Sequence, residues 1–224
     1  MPAAAEKTTE PTRKAEPASV AAYRALERMI VTLALPPSAA VSEGELTERS
    51  GFGRTPVREA LQRLAWEGLV DIRPRSGIVI APINPSDWLK VIDARRGVEI
   101  ILARSAARFL SRDAAQRFHD VALAMRKAAI MSNVMAFLDA DRRFDEALSE
   151  AADNNFAARF AEPLQTHSRR FWFRYQSEDG LATSTEHHLA IIAAIADGDV
   201  DGAEQAAGRL MDVLRGYAEK LALA

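Results

Sequence analysis

The chain has 224 residues, of which 48% are hydrophobic and only 7% aromatic, a composition that favours a helical globular protein and excludes a largely disordered one. The absence of cysteine excludes disulfides, thiolate metal sites and cysteine nucleophiles, and the net charge of −2 excludes a surface that is basic throughout. No segment reaches the roughly 18 apolar residues of a membrane span, and none has the apolar block of a signal peptide, so we expect a cytoplasmic protein with no membrane partner.

The first elements in chain order are a tail and a helix. Residues 1 to 16 are mostly Ala, Glu, Lys, Thr and Pro without apolar periodicity, and we expect them to be flexible. From Val20 to Leu33, apolar residues recur at three- and four-residue spacing, which predicts a helix that ends at Pro36 and Pro37. This helix should pack under the third helix.

Two more helices are predicted before residue 68. Ser42 and Glu45 form a capping box that opens a short helix ending near Gly51. Thr55 is a good N-cap and Pro56 suits the first helical position, so we expect the third helix to begin at this pair. The third helix has one apolar stripe and, near its N-terminal end, a polar face. The residues on that polar face are Arg54, Thr55, Arg58 and Gln62.

A basic hairpin follows the third helix. Residues 69–73 alternate between apolar and polar, residues 74–77 have the composition of a turn, and residues 78–81 form a second apolar run. Helix, turn, helix and hairpin is the order of a winged helix-turn-helix, whose recognition helix meets base edges and phosphates with its N-terminal end. The alternative is an ordinary solvated amphipathic helix. The arginines concentrated in this region are Arg49, Arg54, Arg58, Arg63, Arg73 and Arg75.

The residues around the third helix resemble the signature of GntR-family transcriptional regulators. The resemblance rests on residues 54–61, 67–70 and 73–77. It implies a DNA-binding domain over residues 17–82, with a double-stranded DNA operator as its partner. The residues that it would place on DNA are Arg54, Thr55, Arg58, Arg75, Ser76 and Gly77.

A second domain is predicted from residue 83 to residue 224. Asn84 can cap a helix that Pro85 opens, and beyond this point only helical periodicity is visible. The expected helices cover residues 85–110, 113–130, 133–151, 155–177, 183–197 and 200–222. They form an all-α bundle large enough to enclose a pocket. The whole chain is therefore expected to be mainly α, with a winged helix-turn-helix followed by a helical bundle.

Three fragments of this bundle resemble the FCD effector domain of the FadR subfamily. They are residues 94–99, 141–145 and 188–199. The resemblance implies that the second domain binds a small-molecule effector and forms a homodimer. A two-fold axis would then place two recognition helices on the half-sites of a pseudo-palindromic operator.

Two aspartates in the predicted helix 133–151 share its apolar face. Asp141 and Asp145 repel each other at this spacing, and a buried unpaired carboxylate is costly, so the pair needs a metal, an arginine or a shared proton. The alternative is that the helix is rotated and both aspartates are solvated. His188 also lies on an apolar stripe, where a lone histidine is more often structural than a ligand.

The FCD resemblance implies a divalent metal held by an Asp, a His four residues later and two further His. Asp141 and His188 match two of these positions, whereas Asp145 and Leu210 replace two imidazoles. Asp141, Asp145 and His188 could still hold zinc or nickel, but less tightly than an imidazole-rich site. Histidines that could substitute are His167 and His187. In the competing interpretation, arginines balance the aspartates and bind an anionic effector. The candidates are Arg95, Arg169, Arg170 and Arg174.

We therefore expect a ligand-responsive transcription regulator whose effector pocket binds a small polar metabolite with a carboxylate, with metal optional. The residues expected to line the pocket are Arg95, Asp141, Asp145 and His188. The alternative function is a helical metal-dependent sensor or enzyme that uses Asp141, Asp145 and His188, with the N-terminal domain as a tether. No phosphate-binding loop, dinucleotide fingerprint, serine-hydrolase elbow or zinc-protease motif occurs, so we expect no catalytic residues.

Overall fold

The computed structural model describes residues 16–73, 77–177 and 179–223. Its N-terminal elements are α1 Ala18–Val31, β1 Ala40–Val41, α2 Glu43–Ser50, α3 Arg54–Trp66, β2 Val70–Arg73 and β3 Gly77–Ile80. The strands form an antiparallel sheet in the order β1-β3-β2, with Val41 opposite Ile78 and Val70 opposite Ile80. Three helices and a hairpin confirm the expected winged helix-turn-helix.

The core of this part lies between α1, α3 and the sheet. Tyr23 and Leu26 of α1 and Leu61 and Leu64 of α3 belong to one buried apolar cluster, and each is at most 3% exposed. α1 therefore packs under α3, as its apolar spacing predicts.

Some boundaries in this part differ from the expectations. α1 ends at Val31 and not at the prolines, because the chain already turns at Leu33, whose φ is 58°. Thr55 is not the N-cap of α3: the helix begins at Arg54 after Gly53, and no side chain caps it. The first N–H groups of α3 thus lack a side-chain partner. Strand β1 was not expected at all.

The turn before α3 is built as the sequence predicts. The Ser42 hydroxyl accepts a hydrogen bond of 3.1 Å from the backbone N–H of Glu45 and caps α2. Gly51 ends α2 in the left-handed region, with φ 74°, where a side chain would be strained. The Glu45 carboxylate does not complete the capping box, because it pairs with Arg49.

The remaining helices form the expected bundle. They are α4 Pro85–Phe109, α5 Arg112–Ile130, α6 Val134–Ala151, α7 Asn155–Tyr175, α8 Gly180–Ala196 and α9 Val200–Ala222. α8 begins three residues earlier than predicted, at Gly180. Side chains cap five of the helices, and these caps are Asn84, Ser111, Asn133, Asn154 and Asp199.

The bundle has an apolar core of its own. α4 packs along α9 and α7, and Trp88 of α4 stacks on Phe171 of α7 with ring centroids 5.9 Å apart. None of the helices in the described ranges is long and apolar enough to cross a membrane. The expected tail, residues 1 to 16, lies outside the described residues except for Glu16. The predicted wing-tip residues Arg75 and Ser76 also lie outside them.

Candidate functional site

The polar face of α3 is exposed at its N-terminal end. Arg54, Thr55, Arg58 and Gln62 are all exposed, whereas Val57, on the opposite face, is fully buried. The uncapped N–H groups of the first turn lie at the same end. Free N–H groups and the positive end of a helix dipole bind anions, and guanidinium groups recognise phosphate and guanine. This face therefore has the chemistry of a DNA-reading surface.

Arg58 is not free on this surface. Its Nε donates a hydrogen bond of 2.8 Å to the Glu43 carboxylate of α2, and the Arg58 side chain is 66% exposed. The contact raises the pKa of Arg58 further above its usual value, through the hydrogen bond and the charge of Glu43. Glu43 thus holds the guanidinium group in place but also competes with any phosphate that approaches it.

Gly77 has a structural explanation. It opens β3 with φ 87°, and a Cβ at this position would lie only 3.1 Å from the carbonyl oxygen of Val41. Both the backbone angle and the close approach of β1 require glycine. Gly77 therefore shapes the wing through its backbone, and its contact with DNA stays a prediction, like those of Arg75 and Ser76.

The second candidate site is a group of charged side chains inside the bundle. α4, α6, α7 and α8 bring together six side chains, each at most 8% exposed, which we call the charge cluster. Its members are Arg95, Glu99, Asp141, Asp145, Arg169 and His188. The structure thus brings together all four residues expected to line a pocket and adds Glu99 and Arg169 to them.

Asp141 and His188 form one half of the cluster. The His188 Nδ1 donates to the carbonyl oxygen of Ser184 at 2.6 Å, which turns Nε2 toward Asp141. Nε2 lies 2.9 Å from Asp141 Oδ1, close enough for an ion pair, although the ring N–H is not aligned well enough for a hydrogen bond. Burial opposes both charges, but the mutual contact outweighs it, so the pKa of His188 is raised and that of Asp141 is lowered.

Asp145 forms the other half. Its Oδ2 accepts from Nη1 of Arg169, and its Oδ1 lies 3.6 Å from Nη2 of Arg95. Burial and the charge of Asp141 raise the pKa of Asp145 to about 8, against the opposing effect of the two guanidinium groups. Asp145 Oδ1 has no hydrogen-bond partner within the described part of the chain. An unpartnered buried oxygen of this kind is unusual and marks a position where a ligand could bind.

These residues do not fit the metal site that the FCD resemblance implies. Leu210 is 1% exposed at the position of the fourth ligand and offers no donor atom. Arg169 contacts Asp145 and lies 3.6 Å from Asp141, so a guanidinium group already supplies the positive charge between the carboxylates. Across residues 16–73, 77–177 and 179–223, no three His, Asp or Glu side chains are grouped so that they could hold a metal ion. We therefore derive no role for a metal.

The other candidate ligands lie elsewhere. His167 Nε2 is hydrogen-bonded to the carbonyl oxygen of Glu67 at 2.8 Å, and His187 belongs to no group that could hold a metal among the described residues. Arg170 donates to the carbonyl oxygen of Ala81, and Arg174 lies over the ring of Tyr175. Of the arginines proposed to balance the aspartates, the structure places Arg95 and Arg169 in the cluster.

One residue from outside the bundle joins the cluster, and the sequence reasoning missed it. Glu27 of α1 is 2% exposed, and its Oε1 accepts from Nη2 of Arg169 at 3.1 Å and from the Thr166 hydroxyl at 3.0 Å. Its Oε2 pairs with Arg142 at 2.7 Å. The available signal was a glutamate on the apolar face of the first predicted helix, four residues after Tyr23. Such a residue needs a charged partner from another element.

Two of the spaces around the cluster are a small interior cavity and a large cleft. The cavity among Arg95, Asp141 and His188 measures about 20 Å³, enough for about one water molecule. The cleft between α6 and α7 measures about 390 Å³, a size that suits a small metabolite. Arg169 lines both spaces. The cleft is lined by Glu27, Arg142, Asp145, Glu146, Gln165 and Arg169, among others.

α7 connects this site to the winged helix-turn-helix. Besides the contact between Arg169 and Glu27, Glu162 pairs with Arg63 near the end of α3, and His167 bonds to the backbone at Glu67. Arg170 donates to the backbone at Ala81, between the wing and α4, at 2.6 Å. α7, the helix that carries Arg169, therefore contacts the N-terminal part of the chain at four residues, which are Glu27, Arg63, Glu67 and Ala81.

Two family models match this chain, one over its N-terminal part and one over the helical bundle. Residues 18–80 match the family model described as "Bacterial regulatory proteins, gntR family", and residues 90–213 match the model described as "FCD domain". These two segments coincide with the winged helix-turn-helix and with most of the helical bundle.

Curated relatives include transcription repressors, and a solved structure has the same fold. The chain is 29% identical to the HTH-type transcriptional repressor RspR of Escherichia coli, over 85% of this chain and 84% of that protein. It is 26% identical to the galactonate operon transcriptional repressor of Escherichia coli, over 81% of this chain and 91% of that protein. The solved structure of E. coli McbR/YncC has the same fold, with a TM-score of 0.77 at 16% identity, over 92% of this chain and 99% of that one.

Proposed function

The chain belongs to the gntR family of bacterial regulatory proteins and carries an FCD domain, and from this premise we propose that it is a homodimeric repressor that a small anionic metabolite releases from its operator. Like its relatives, it is a DNA-binding transcription regulator and not an enzyme. The alternative of an enzyme that uses Asp141, Asp145 and His188 is therefore wrong.

The N-terminal end of α3 reads the operator in this proposal. The observation that carries it is the exposure of Arg54, Thr55 and Arg58 beside the uncapped first turn of α3. Arg54 and Arg58 contact guanine or phosphate, and the free N–H groups bind a phosphate. Arg75 and Ser76 at the wing tip contribute contacts to the backbone or the minor groove.

The protein binds DNA as a homodimer. A two-fold axis places two α3 helices on half-sites about one helical turn apart, so the operator is a short pseudo-palindrome. The relatives named repressors support a repressor rather than an activator.

The effector is a small polar molecule with a carboxylate group. In the cleft, Arg169 offers a guanidinium group that binds a carboxylate, and Asp145 offers a partner for a hydroxyl group. Arg95, Asp141 and His188 line the one-water cavity on the other side of Arg169 and set the charge around it. The name of the galactonate operon repressor supports a hydroxy acid as the class of ligand to test first. Metal is not required, because Arg169 already supplies a cation to both aspartates.

Two experiments test this function. Selection of duplexes from a random pool by the purified protein should yield a two-fold symmetric sequence, which the protein binds as a dimer. A thermal-shift panel of D-galactonate, D-gluconate, succinate and lactate should then show at least one acid that stabilises the protein and lowers its affinity for the selected duplex. A pool that yields no common sequence would refute operator binding, and a panel without any effect would refute the carboxylate effector.

A further inference from the structure

We propose that Glu27 of the winged helix-turn-helix belongs to the effector site. An anionic ligand that binds in the cleft between α6 and α7 displaces Glu27 from the guanidinium group of Arg169. The exchange weakens the attachment of α1 to the helical bundle. This inference rests on the proposed function, because it supposes an anionic effector that acts at the charge cluster. It adds a residue from the DNA-binding part to that site and gives the route by which the ligand acts.

Arg169 is shared between two carboxylates of different origin. Its Nη1 contacts Asp145 of α6, and its Nη2 donates to Glu27 of α1 at 3.1 Å and to the Thr166 hydroxyl at 3.0 Å. All of these side chains are almost completely buried. A charge-assisted contact that is shielded from water is stronger than one on the surface. The choice of carboxylates that Arg169 contacts therefore has a large effect on the free energy of the site.

The charged side chains around Arg169 neutralise one another when Asp145 is ionised. The carboxylates of Glu27, Glu99, Asp141 and Asp145 face the guanidinium groups of Arg95, Arg142 and Arg169 and the imidazole of His188. Four acids against three arginines and one histidine leave the group balanced when all are charged. A ligand carboxylate at Arg169 therefore competes with the carboxylates that already contact this guanidinium group, since an uncompensated buried charge is costly. Because the pKa of Asp145 is raised to about 8, Glu27 is the main ionised competitor near neutral pH.

Glu27 is the resident carboxylate that can leave. Glu99 and Asp145 belong to helices packed in the bundle core, and Glu99 is held by Arg95 at 2.7 Å and Gln165 at 2.8 Å. Glu27 belongs to α1, which packs mainly against α3. Its other charged partner, Arg142, is partly exposed, with 22% of its side chain accessible, and can follow it toward solvent. The remaining contact is a hydrogen bond from the neutral Thr166 hydroxyl.

The cleft leads a ligand to this point. Its volume of about 390 Å³ accommodates a small metabolite, and Glu27, Asp145 and Arg169 all lie on its wall. Asp145 Oδ1, buried and without a hydrogen-bond partner in the described chain, is available to accept from a ligand hydroxyl. The cleft thus presents a shared guanidinium group for a carboxylate beside an acceptor for a hydroxyl, which suits a hydroxy acid.

Loss of the Arg169 contact weakens one of the ties between α7 and the DNA-reading part. Because α1 packs under α3, a looser attachment of α1 lets the recognition helix change its position relative to the bundle. A ligand can shift this equilibrium only through a difference in affinity between the two states, and that difference is the competition with Glu27. By linkage, operator binding must weaken ligand binding by the same factor.

The first test uses ligand and compares Glu27→Gln with a matched control, Asp139→Asn. Asp139 of α6 pairs with Arg28 of α1 on the surface, so the control removes one contact between the same two helices without reaching Arg169. With D-galactonate, D-gluconate, succinate and lactate as probes, Glu27→Gln should bind the active acid about tenfold more tightly, because no carboxylate competes. Its operator affinity should no longer change on addition of that acid, whereas Asp139→Asn should respond as wild type does.

The second test needs neither ligand nor operator and uses hydrogen exchange of the full-length protein. Asp145→Asn leaves Arg169 with Glu27 as its closest anionic partner, so amide exchange in residues 22–31 of α1 should slow several-fold. Asp139→Asn should not slow it. A panel in which no acid affects wild type contradicts the proposed effector, and the exchange test still decides the role of Glu27. The inference is overturned if Glu27→Gln responds to the acid like the control, or if Asp145→Asn leaves exchange in α1 unchanged.

Discussion

Arg58 of α3 is held by Glu43 of α2 at a distance of 2.8 Å, so one arginine of the exposed α3 face is paired with a carboxylate before DNA arrives. A phosphate or a guanine must displace Glu43 or share the guanidinium group with it. We predict that Glu43→Gln strengthens operator binding by a factor of about two to five, the range expected for an exposed ion pair. Equilibrium binding to the selected duplex measures this change. Unchanged or weaker binding would show that Glu43 serves mainly to orient Arg58.

Arg54 lies at the first position of α3 and is exposed. We predict that Arg54→Ala weakens binding to the selected duplex by about tenfold to a hundredfold, as for the loss of a bidentate contact with guanine. Binding to unrelated duplexes should change much less. Lys220→Ala is the control, because it removes one positive charge from the last helix, outside the winged helix-turn-helix. This variant should bind the selected duplex as wild type does. Equal losses on selected and unrelated DNA would assign Arg54 to phosphate rather than to a base.

His167 joins α7 to the end of α3 through the carbonyl oxygen of Glu67, and its burial and nearby Arg170 lower its pKa. Because the folded-state pKa lies below the unfolded value, the neutral ring contributes stability that is present above pH about 6.5 and is lost as the pH falls below it. We predict that His167→Gln loses less stability than wild type between pH about 7.5 and about 5. Urea unfolding at several pH values measures this. Parallel pH dependence of the two proteins would contradict the prediction.

The charge cluster should function without metal. We predict that wild-type protein treated with a chelator keeps its operator affinity, its thermal stability and its response to the active acid, because Arg169 balances Asp141 and Asp145. Added zinc or nickel should not restore or enhance any of these properties. The measurement is a thermal-shift and operator-binding series with metal content determined in parallel. A response that disappears on chelation and returns with zinc would show that the metal is essential.

Local signals in the sequence predict most of the fold. Asn84 caps α4 as expected, because a cap and the helix that it begins are neighbours in the chain. The caps of α5, α6 and α9 lie within two residues of the predicted starts of these helices, and they are Ser111, Asn133 and Asp199. Strand β1 could not be predicted, since its two residues become a strand only by pairing with β3. The start of α3 differs by one residue for a similar reason: Thr55 is a good cap by type, but the chain already enters the helix at Arg54.

The candidate site could be predicted only in part. The spacing of Asp141 and Asp145 on an apolar face correctly indicated two inward carboxylates. It could not indicate which cation balances them, because Arg169 lies on another helix and Glu27 precedes Arg169 by 142 residues. Pairings over such distances depend on how the helices pack, and periodicity within one helix carries no information about them.

The central claim is that the charge cluster senses an anion while α3 reads DNA. The most direct test measures the operator affinity of two proteins, wild type and Arg95→Gln. Each is measured with and without the four acids of the panel. Arg95 is buried in the charge cluster and is not part of the exposed face of α3, so the loss of its guanidinium group should leave DNA binding unchanged. We predict that at least one acid lowers the operator affinity of wild type about tenfold or more, within the usual range of allosteric coupling. Arg95→Gln should bind the operator as wild type does and should not respond to that acid. The claim is contradicted if Arg95→Gln responds as wild type does, or if no acid changes the operator affinity of wild type.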